Sequence, residues 1–455
     1  MWTESPSCIL LTGVTGFLGK VVLEELLRRR HECNFSKIFV LLRAAKGKTA
    51  HQRFLDEVAS SKCFENLSPK WIEYVEVIEG DLSLPNCGID DSLLPLICAE
   101  STHIMNCAAC VSFDLPLIEA TKANVSTARN LISLAKSCPR LRGMATTSTA
   151  YVAPHRSGLI TPTPAPLPYS AELLYQRILA GKVDEKALLR ETKHPNTYTL
   201  TKCLAEHMYL QHAPAIPGLT IVRPSIISCA LRYPSPGWID SKAAIAGFIA
   251  LMGGGYLRVI DGNKAARLDV VPVDIVANDI IDAASLTPSP PPVYKEECEK
   301  STGALYPIVH SVAGVRNSLS INSVAERSIQ YFSKLHAQQN KKNPAIRDPK
   351  LSYLGGRNVN FHLHDLRDHR LPLAFGALCF QISGNKEMKR KTQSLARVLK
   401  KINHIFPYYT HHTFDFVPGR TWAQSIDEQV NSLDPNAEVY LGIILDGVRK
   451  NLLRM

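Results

Sequence analysis

Tyr198 and Lys202, a phenol and an amine four positions apart, have the residue types and spacing for proton-transfer chemistry. The segment that they open has helical spacing, so both side chains are expected on one face of a helix. An ammonium beside a phenol stabilises the phenolate and makes the tyrosine a better proton donor and acceptor near neutral pH. The same spacing arises by chance on surface helices, so the pair needs further support.

Two hydroxyls are expected near this pair. Ser148 and Thr149 follow a predicted strand that ends at Thr146. Sheets of the kind predicted below place ligands at the carboxyl ends of their strands. Both hydroxyls are therefore candidates for a position beside the Tyr198–Lys202 pair.

A glycine-rich turn near the start of the chain suits phosphate binding. Gly13 allows a tight turn, Gly16 lets the backbone approach a pyrophosphate, and Gly19 lets helix and strand pack closely. The free N–H groups and partial positive charge of the following helix favour the phosphates. The strand–turn–helix context supports a dinucleotide site. The residues expected to contact the cofactor here are Thr12, Gly13, Thr15, Gly16, Phe17, Leu18 and Gly19.

The end of the second predicted strand bears on the choice of cofactor. An acidic residue there would bind a ribose 2′-hydroxyl and favour NAD, whereas this chain has Arg43, followed by Lys46 and Lys48. Basic side chains suit a 2′-phosphate, so the sequence favours NADPH. A solvated loop charge is the other interpretation of Arg43.

Short apolar runs alternate with helical segments from Ser7 to about Leu141, and this alternation predicts a parallel, doubly wound α/β sheet. The predicted strands are Cys8 to Thr12, Lys37 to Leu42, Trp71 to Ile78, Thr102 to Asn106, Leu141 to Thr146 and residues 219 to 227. From about Ser318 the chain is polar and helical.

Composition narrows the classes of partner. The formal charge of +11 favours anionic partners such as nucleotide cofactors and coenzyme A. No nucleic-acid motif is present, and we expect no nucleic-acid partner. Cys107 and Cys110 form an isolated C-x-x-C without a second ligand pair at zinc spacing, so we expect no metal.

Together these residues resemble the extended short-chain dehydrogenase/reductase superfamily over about residues 7 to 285. In that resemblance Asp81 would contact the adenine and Asn106 and Ala108 would lie beside the cofactor. The motifs that carry this likeness are Gly80-Asp81-Leu82, Asn106-Cys107-Ala108-Ala109, Asn124 and Arg223-Pro224. The cofactor residues that it adds to the glycine turn and Arg43 are Asp81, Leu82, Asn106, Ala108, Asn124, Tyr198, Lys202 and Pro224.

One branch of this superfamily, the fatty acyl-CoA reductases with their male-sterility type NAD-binding domain, is similar to the chain in further motifs. These are Thr-Gly-x-Thr-Gly-Phe-Leu-Gly, 108–114, 148–152, 222–227, 237–240 and 269–274. The resemblance implies a Rossmann-type reductase domain over 1–285, with a smaller substrate lobe in parts of 155–197 and 228–268. A linker and return segment would follow at 286–317, and a mainly helical C-terminal domain at 318–455.

The resemblance implies an enzyme that reduces a fatty acyl-CoA thioester to a fatty alcohol with NADPH, through the aldehyde, and releases CoA. Tyr198 and Ser148 would hydrogen-bond the thioester carbonyl oxygen, and Lys202 would hold the nicotinamide ribose. Thr149 is the alternative to Ser148 as the catalytic hydroxyl, because a misalignment of one residue with the family motif would exchange their roles. Another extended short-chain reductase or isomerase, acting on a sterol, flavonoid or similar molecule, is the alternative. A non-catalytic NADP(H) sensor is a second alternative, although a sensor would need only the glycine turn.

The predicted location is intracellular, in the cytoplasm or peripheral on an organelle membrane such as the endoplasmic reticulum or peroxisome. We find no signal peptide and no apolar run long enough for a transmembrane helix. The basic run from Lys386 to Lys401 follows the apolar run from Leu371 to Ile382. Residues 371–401 are therefore either a peripheral membrane contact or a solvated helix face. The oligomeric state stays open.

Overall fold

The computed structural model describes residues 6–285, 306–340, 347–419 and 437–455. These residues contain a seven-stranded sheet whose neighbouring strands are all parallel. Its order is β3-β2-β1-β4-β5-β6-β7, which confirms the predicted doubly wound α/β fold. The strands are β1 (Ser7–Thr12), β2 (Phe35–Leu42), β3 (Val75–Glu79), β4 (His103–Asn106), β5 (Gly143–Thr147), β6 (Leu219–Pro224) and β7 (Ile308–Ser311).

Two strands differ from the sequence prediction. β3 begins at Val75 and not at Trp71, because Pro69–Tyr74 forms a 3-10 helix with proline at its first turn. β7 was not predicted as a strand and lies in the segment expected to be a linker and return. Residues 286–305 of that segment lie outside the described residues.

Helices connect and cover these strands. The longer helical segments are α1 (Phe17–Arg28), α2 (117–136), α3 (Ala171–Leu179), α4 (Glu185–Thr192), α5 (Thr197–His212), α6 (Ala244–Gly253), α7 (Val273–Ser285), α8 (Ile321–Asn340), α9 (359–382), α10 (Lys386–Ile405) and α11 (437–453). Strands of two or three residues lie at Leu159–Ile160, Ile226–Ser228, Val259–Asp261, Arg267–Leu268, Val270–Pro272, Leu319–Ser320, Tyr353–Gly355 and Asp415–Phe416.

The sheet has a helical layer on each face. α2 and α5 pack against each other, and Leu131 and Leu204 from these helices share one apolar cluster with Leu10 and Ile104 of the strands. Alternate strand residues such as Ile9 point to the other face. There α1 packs beside α7, and α7 crosses β4, β5 and β6. Both layers leave the carboxyl ends of the strands accessible to a ligand.

The chain divides into two compact units. The first contains the sheet and comprises residues up to Trp238, Val271–Ala313 and a segment from Phe416. The second comprises Ile239–Val270, Gly314–Asp415 and a segment from Pro435, and its described residues are mainly helical. Inside it α6 packs against α8 and α11, and α9 packs against α10. The domain boundaries inferred from the sequence stay a prediction.

Candidate active site

The glycine turn after β1 lies directly against the loop after β4. Gly13 has a φ of 80°, a left-handed conformation that side chains rarely adopt. A Cβ at this position would lie 2.5 Å from the backbone carbonyl carbon of Cys107. β1 has β2 on one side and β4 on the other, so the turn lies at the point where the order of strands reverses. Open α/β sheets bind ligands in the crevice at this point.

A cavity of about 900 Å³ opens beside this turn. Its walls come from the loops after β1, β2, β3 and β4, and from the middle of α2. Seven of the residues expected at the cofactor site line it: Gly13, Thr15, Gly16, Arg43, Asp81, Leu82 and Ala108. The structure therefore brings the glycine turn, the basic end of β2 and the Gly-Asp-Leu loop around one space.

Other expected cofactor residues support the walls of this cavity. The Thr12 hydroxyl donates to Asn106 Oδ1 at 2.7 Å, and Asn106 Nδ2 donates to the Thr146 hydroxyl at 3.1 Å. The same Asn106 oxygen accepts the Ala108 backbone N–H at 3.1 Å. These bonds tie together the carboxyl ends of β1, β4 and β5.

Asn124 has a comparable supporting position. It lies in a π-helical turn of α2, a widening that is frequent at functional sites. Its side-chain oxygen accepts from Cys110 N at 2.9 Å, and its Nδ2 donates to Cys110 O at 3.2 Å and to the Thr201 hydroxyl at 3.0 Å. Asn124 thus fastens the loop after β4 to helix α5.

Phe17, Leu18, Gly19 and Pro224 do not line the cavity. Phe17 stacks on Trp238 with the ring centroids 5.5 Å apart, and Gly19 packs against the backbone of the turn. Pro224 ends β6, and its carbonyl oxygen lies 3.5 Å from the Thr149 hydroxyl.

Two basic residues of the cavity wall were missed by the sequence analysis. Arg53 and Lys122 both line it. Arg53 Nη1 donates to the Arg43 backbone oxygen at 2.7 Å, and its other nitrogens pair with Glu57 at 2.8 and 3.0 Å. Nothing in the local sequence around Arg53 indicates this position, because the tertiary fold returns its short helix to the end of β2.

The predicted Tyr–Lys pair lies on α5. Asn196 caps this helix by accepting the Thr199 N–H at 2.9 Å, so the helix begins at Thr197, one residue before the tyrosine. Lys202 Nζ donates to the Thr147 carbonyl at 2.6 Å, which brings the ammonium to the carboxyl end of β5. The Tyr198 ring packs on Phe113, with the centroids 5.4 Å apart.

The hydroxyl beside Tyr198 belongs to Thr149. The Thr149 hydroxyl lies close to the Tyr198 phenol, and it accepts from Tyr151 N at 3.3 Å. Ser148 continues the strand pairing through its N–H, 2.7 Å from Val222 O. Its buried hydroxyl has no hydrogen-bond partner among the described residues. Successive residues of an extended chain point to opposite sides, so the two hydroxyls cannot share one position. The choice of Ser148 stays a prediction, and the geometry favours its alternative.

Burial dominates the electrostatics of the pair. It lowers the pKa of Lys202 to about 8, against the opposing influence of the Glu206 carboxylate. Burial raises the pKa of Tyr198 above its usual range, while the nearby Thr149 hydroxyl acts in the opposite direction. Near neutral pH the lysine is therefore largely an ammonium and the phenol keeps its proton. This arrangement suits donation of a proton to a substrate oxygen.

The cysteines beside the site have no obvious part in this chemistry. Burial raises the pKa of the Cys107 thiol to about 12, so it is protonated at neutral pH. Within the described part of the chain, no group of three or more His, Cys, Asp or Glu side chains is arranged to hold a metal ion.

Comparison with known proteins identifies the family. The family model described as Male sterility protein matches residues 11–280, more than half of the chain. Chicken fatty acyl-CoA reductase 1 is 30% identical over 418 residues, an alignment that covers 89% of this chain and 75% of that protein. The chain belongs to the fatty acyl-CoA reductase family.

Relatives in mouse align over different lengths. Mouse fatty acyl-CoA reductase 1 is 35% identical over 285 residues, which cover 61% of this chain and 54% of that protein. The aligned part thus spans about half of that relative. Mouse fatty acyl-CoA reductase 2 is 29% identical over 426 residues, covering 92% of this chain and 77% of the mouse protein.

Solved structures share the fold of this reductase. The terminal R domain of the myxalamid PKS-NRPS pathway superposes with a TM-score of 0.65 at 18% identity, over 98% of this chain and 91% of that domain. The reductase domain of a Mycobacterium tuberculosis nonribosomal peptide synthetase superposes with a TM-score of 0.57 at 18% identity, over 99% of this chain and 93% of that domain. The family model is that of an NAD-binding domain, so the cofactor of this reductase is a nicotinamide nucleotide.

Proposed function

We propose that this reductase converts a fatty acyl-CoA thioester to a fatty alcohol with NADPH, through the aldehyde and with release of CoA. The observation that carries the proposal is the grouping of Tyr198, Thr149 and Lys202 at the carboxyl end of β5, where the Lys202 ammonium donates to the Thr147 carbonyl and Thr149 lies close to the phenol. The names of the relatives supply the substrate class.

The residues of the site suit reduction of a carbonyl group. When bound, the reduced nicotinamide supplies a hydride to the carbonyl carbon. The hydroxyls of Tyr198 and Thr149 would hydrogen-bond the carbonyl oxygen, where negative charge develops. Tyr198 would then give its proton to that oxygen, and Lys202 would stabilise the phenolate that remains.

Loss of the thiol requires no further nucleophile. The tetrahedral hemithioacetal breaks its carbon–sulfur bond, leaving an aldehyde, and the departing CoA sulfur takes up a proton. The aldehyde presents a carbonyl oxygen to the same two hydroxyls, so a second NADPH, bound after NADP⁺ has left, would supply the hydride that gives the alcohol. The net charge of +11 favours both polyanionic reactants.

Selection of NADPH is proposed from the basic wall of the cavity. Arg43 is exposed at the cavity and follows β2, where the adenosine ribose of a dinucleotide would lie. Lys48 is less suited to this role, because its ammonium pairs with Asp56 at 2.6 Å. We therefore expect Arg43 to contact a 2′-phosphate.

The location and the domain organisation of the protein are also proposals. Among the described residues, no helix combines the length and apolarity needed to cross a bilayer. We propose an intracellular protein, cytoplasmic or peripheral on an organelle membrane. We also retain the reductase domain over 1–285 and the helical domain over 318–455.

Turnover of the purified chain tests the proposed reaction. NADPH consumption is measured with acyl-CoAs of increasing length, with NADH as the comparison cofactor, and the products are separated by chromatography. Release of alcohol or aldehyde that depends on NADPH supports the proposal. Tight NADPH binding without turnover of any acyl-CoA would contradict the substrate class, and failure to bind either nucleotide would contradict the cofactor site.

A further inference from the structure

Helix α9 exposes large apolar side chains along its length. Leu363, Leu366, Leu371, Phe375, Leu378 and Ile382, here called the apolar stripe, are between 45% and 79% exposed. The section from Leu371 to Ile382 has no buried residue. Exposed apolar residues are ordinary when they are scattered, but a continuous patch marks an interaction surface.

The apolar stripe keeps to one face of the helix. Its members are separated by three, five, four, three and four residues, and spacings of three and four keep α-helical residues on one face. The spacing of five lies between Leu366 and Leu371 and coincides with the π-helical turn Leu366–Arg370. A π turn accommodates an additional residue, so the two halves of the stripe stay aligned.

Helix α10, which packs on α9, is rich in exposed lysines and arginines. Gly384, with a φ of 72°, ends α9, and the Asn385 side chain caps α10 by accepting the Met388 N–H at 3.0 Å. The two helices pack on each other, and a Cβ at Gly376 would lie 3.8 Å from the Thr392 methyl group. α10 exposes Lys386, Arg390, Lys391, Arg397 and Lys400, here called the basic row.

Helix α10 has few acidic residues to offset the positive charge of the basic row. Glu387 is the sole acidic residue between Lys386 and Ile405 in the sequence, and it pairs with Lys391 at 2.6 Å. An exposed apolar face beside lysines and arginines is the pattern of helices that lie in the interface of an anionic membrane. A second copy of the chain on the stripe would bring two basic rows together, which like-charge repulsion disfavours.

We propose that the α9–α10 hairpin binds the surface of an anionic membrane, with the apolar stripe in the boundary between headgroups and acyl chains and the basic row at the lipid phosphates. The binding is peripheral, because the charged run from Arg367 to Arg370 interrupts the stripe and the uncharged section from Leu371 to Ile382 spans about 18 Å, against about 30 Å for a hydrocarbon core. This inference does not depend on the proposed reaction.

Vesicle sedimentation of the full chain tests the proposal. The vesicles contain phosphatidylcholine alone or with about one-third phosphatidylserine. We expect sedimentation with the anionic vesicles that weakens as salt is raised to about 1 M. Substituting two stripe residues, Phe375→Ser with Leu378→Ser, should reduce the partition coefficient at least about tenfold. Reversing two charges of the basic row, Arg390→Glu with Lys400→Glu, should reduce it about tenfold or more on anionic vesicles.

A matched control lies outside the hairpin. Leu173→Ser with Lys186→Glu changes an exposed leucine and an exposed lysine of the first unit and should leave vesicle binding unchanged. Circular dichroism and thermal unfolding show whether each variant is folded. Absence of wild-type binding to both vesicle types overturns the proposal, as does equal binding by the stripe variant. If the wild type binds no vesicles but forms dimers in light scattering, and only the stripe variant is monomeric, the stripe is instead the contact with a second copy of the chain.

Discussion

Arg223 and Glu206 form a buried ion pair one helical turn beyond Lys202. Nε and Nη2 of Arg223 donate to the two carboxylate oxygens at 2.9 and 2.6 Å, and the arginine is fully buried. The pair joins α5 to β6. It also holds a negative charge close to the Lys202 ammonium, which raises the pKa of that lysine against the influence of burial.

Breaking this ion pair should destabilise the first unit. Arg223→Met leaves the Glu206 carboxylate buried without its partner, and we expect the free energy of unfolding to fall by about 3–5 kcal/mol. Removing both charges, Arg223→Met with Glu206→Leu, should cost less than the single change. Urea unfolding of the three proteins measures both effects, and a double variant less stable than the single one would contradict this account.

The pH dependence of turnover should report Lys202. The pKa of this lysine is lowered to about 8, so its ammonium is complete well below that pH and is lost as the pH rises through it. We expect kcat/KM to fall with rising pH around about 8. Glu206→Gln removes the charge that favours the ammonium and should move this fall to lower pH. If the pH profile of this variant is unchanged with the same acyl-CoA, Glu206 does not influence the pKa that controls kcat/KM.

The two neighbouring hydroxyls should differ in their effect on turnover. Thr149→Val removes the hydroxyl that lies close to Tyr198 while keeping the shape of the side chain, and we expect kcat to fall about 10²–10³-fold. Ser148→Ala removes a buried hydroxyl that has no hydrogen-bond partner among the described residues and should leave kcat within a few-fold of the unaltered enzyme. Steady-state kinetics decide between them, and the reverse ranking would restore Ser148 as the catalytic hydroxyl.

Removal of the Tyr198 hydroxyl should separate catalysis from cofactor binding. Tyr198→Phe keeps the ring contact with Phe113 but loses the proton donor, and we expect kcat to fall about 10²–10⁴-fold. NADPH affinity, measured by fluorescence titration, should stay within a few-fold because the phosphate-binding turn is untouched. Full activity in this variant would exclude Tyr198 as the proton donor.

Cofactor preference should depend on Arg43. Arg43→Ala removes the guanidinium expected at the 2′-phosphate and should raise KM for NADPH about tenfold or more, with little change for NADH. Lys48→Ala is the matched control, since that lysine pairs with Asp56. Equal effects of the two substitutions on KM would indicate that Arg43 acts only through the general positive charge.

The local features of this protein follow from its sequence. Apolar runs that alternate with helical segments predict the parallel sheet, because buried strands and amphipathic helices produce different patterns of hydrophobic residues along the sequence. The glycine turn was equally predictable, since a φ of 80° at Gly13 requires a residue without a side chain. The spacing of Tyr198 and Lys202 predicted a shared helix face for the same local reason.

The tertiary structure determined which residues from other elements contact these local features. The position of Thr149 near Tyr198 favours it over Ser148, and the sequence left that choice open because adjacent hydroxyls have the same chemistry. Arg53 reaches the cavity, and Arg223 meets Glu206, only through contacts between segments distant along the chain or separated by a turn. The aligned apolar stripe likewise depends on a π turn that no residue type specifies. Such relationships arise from packing between elements, whereas sequence periodicity reports each element alone.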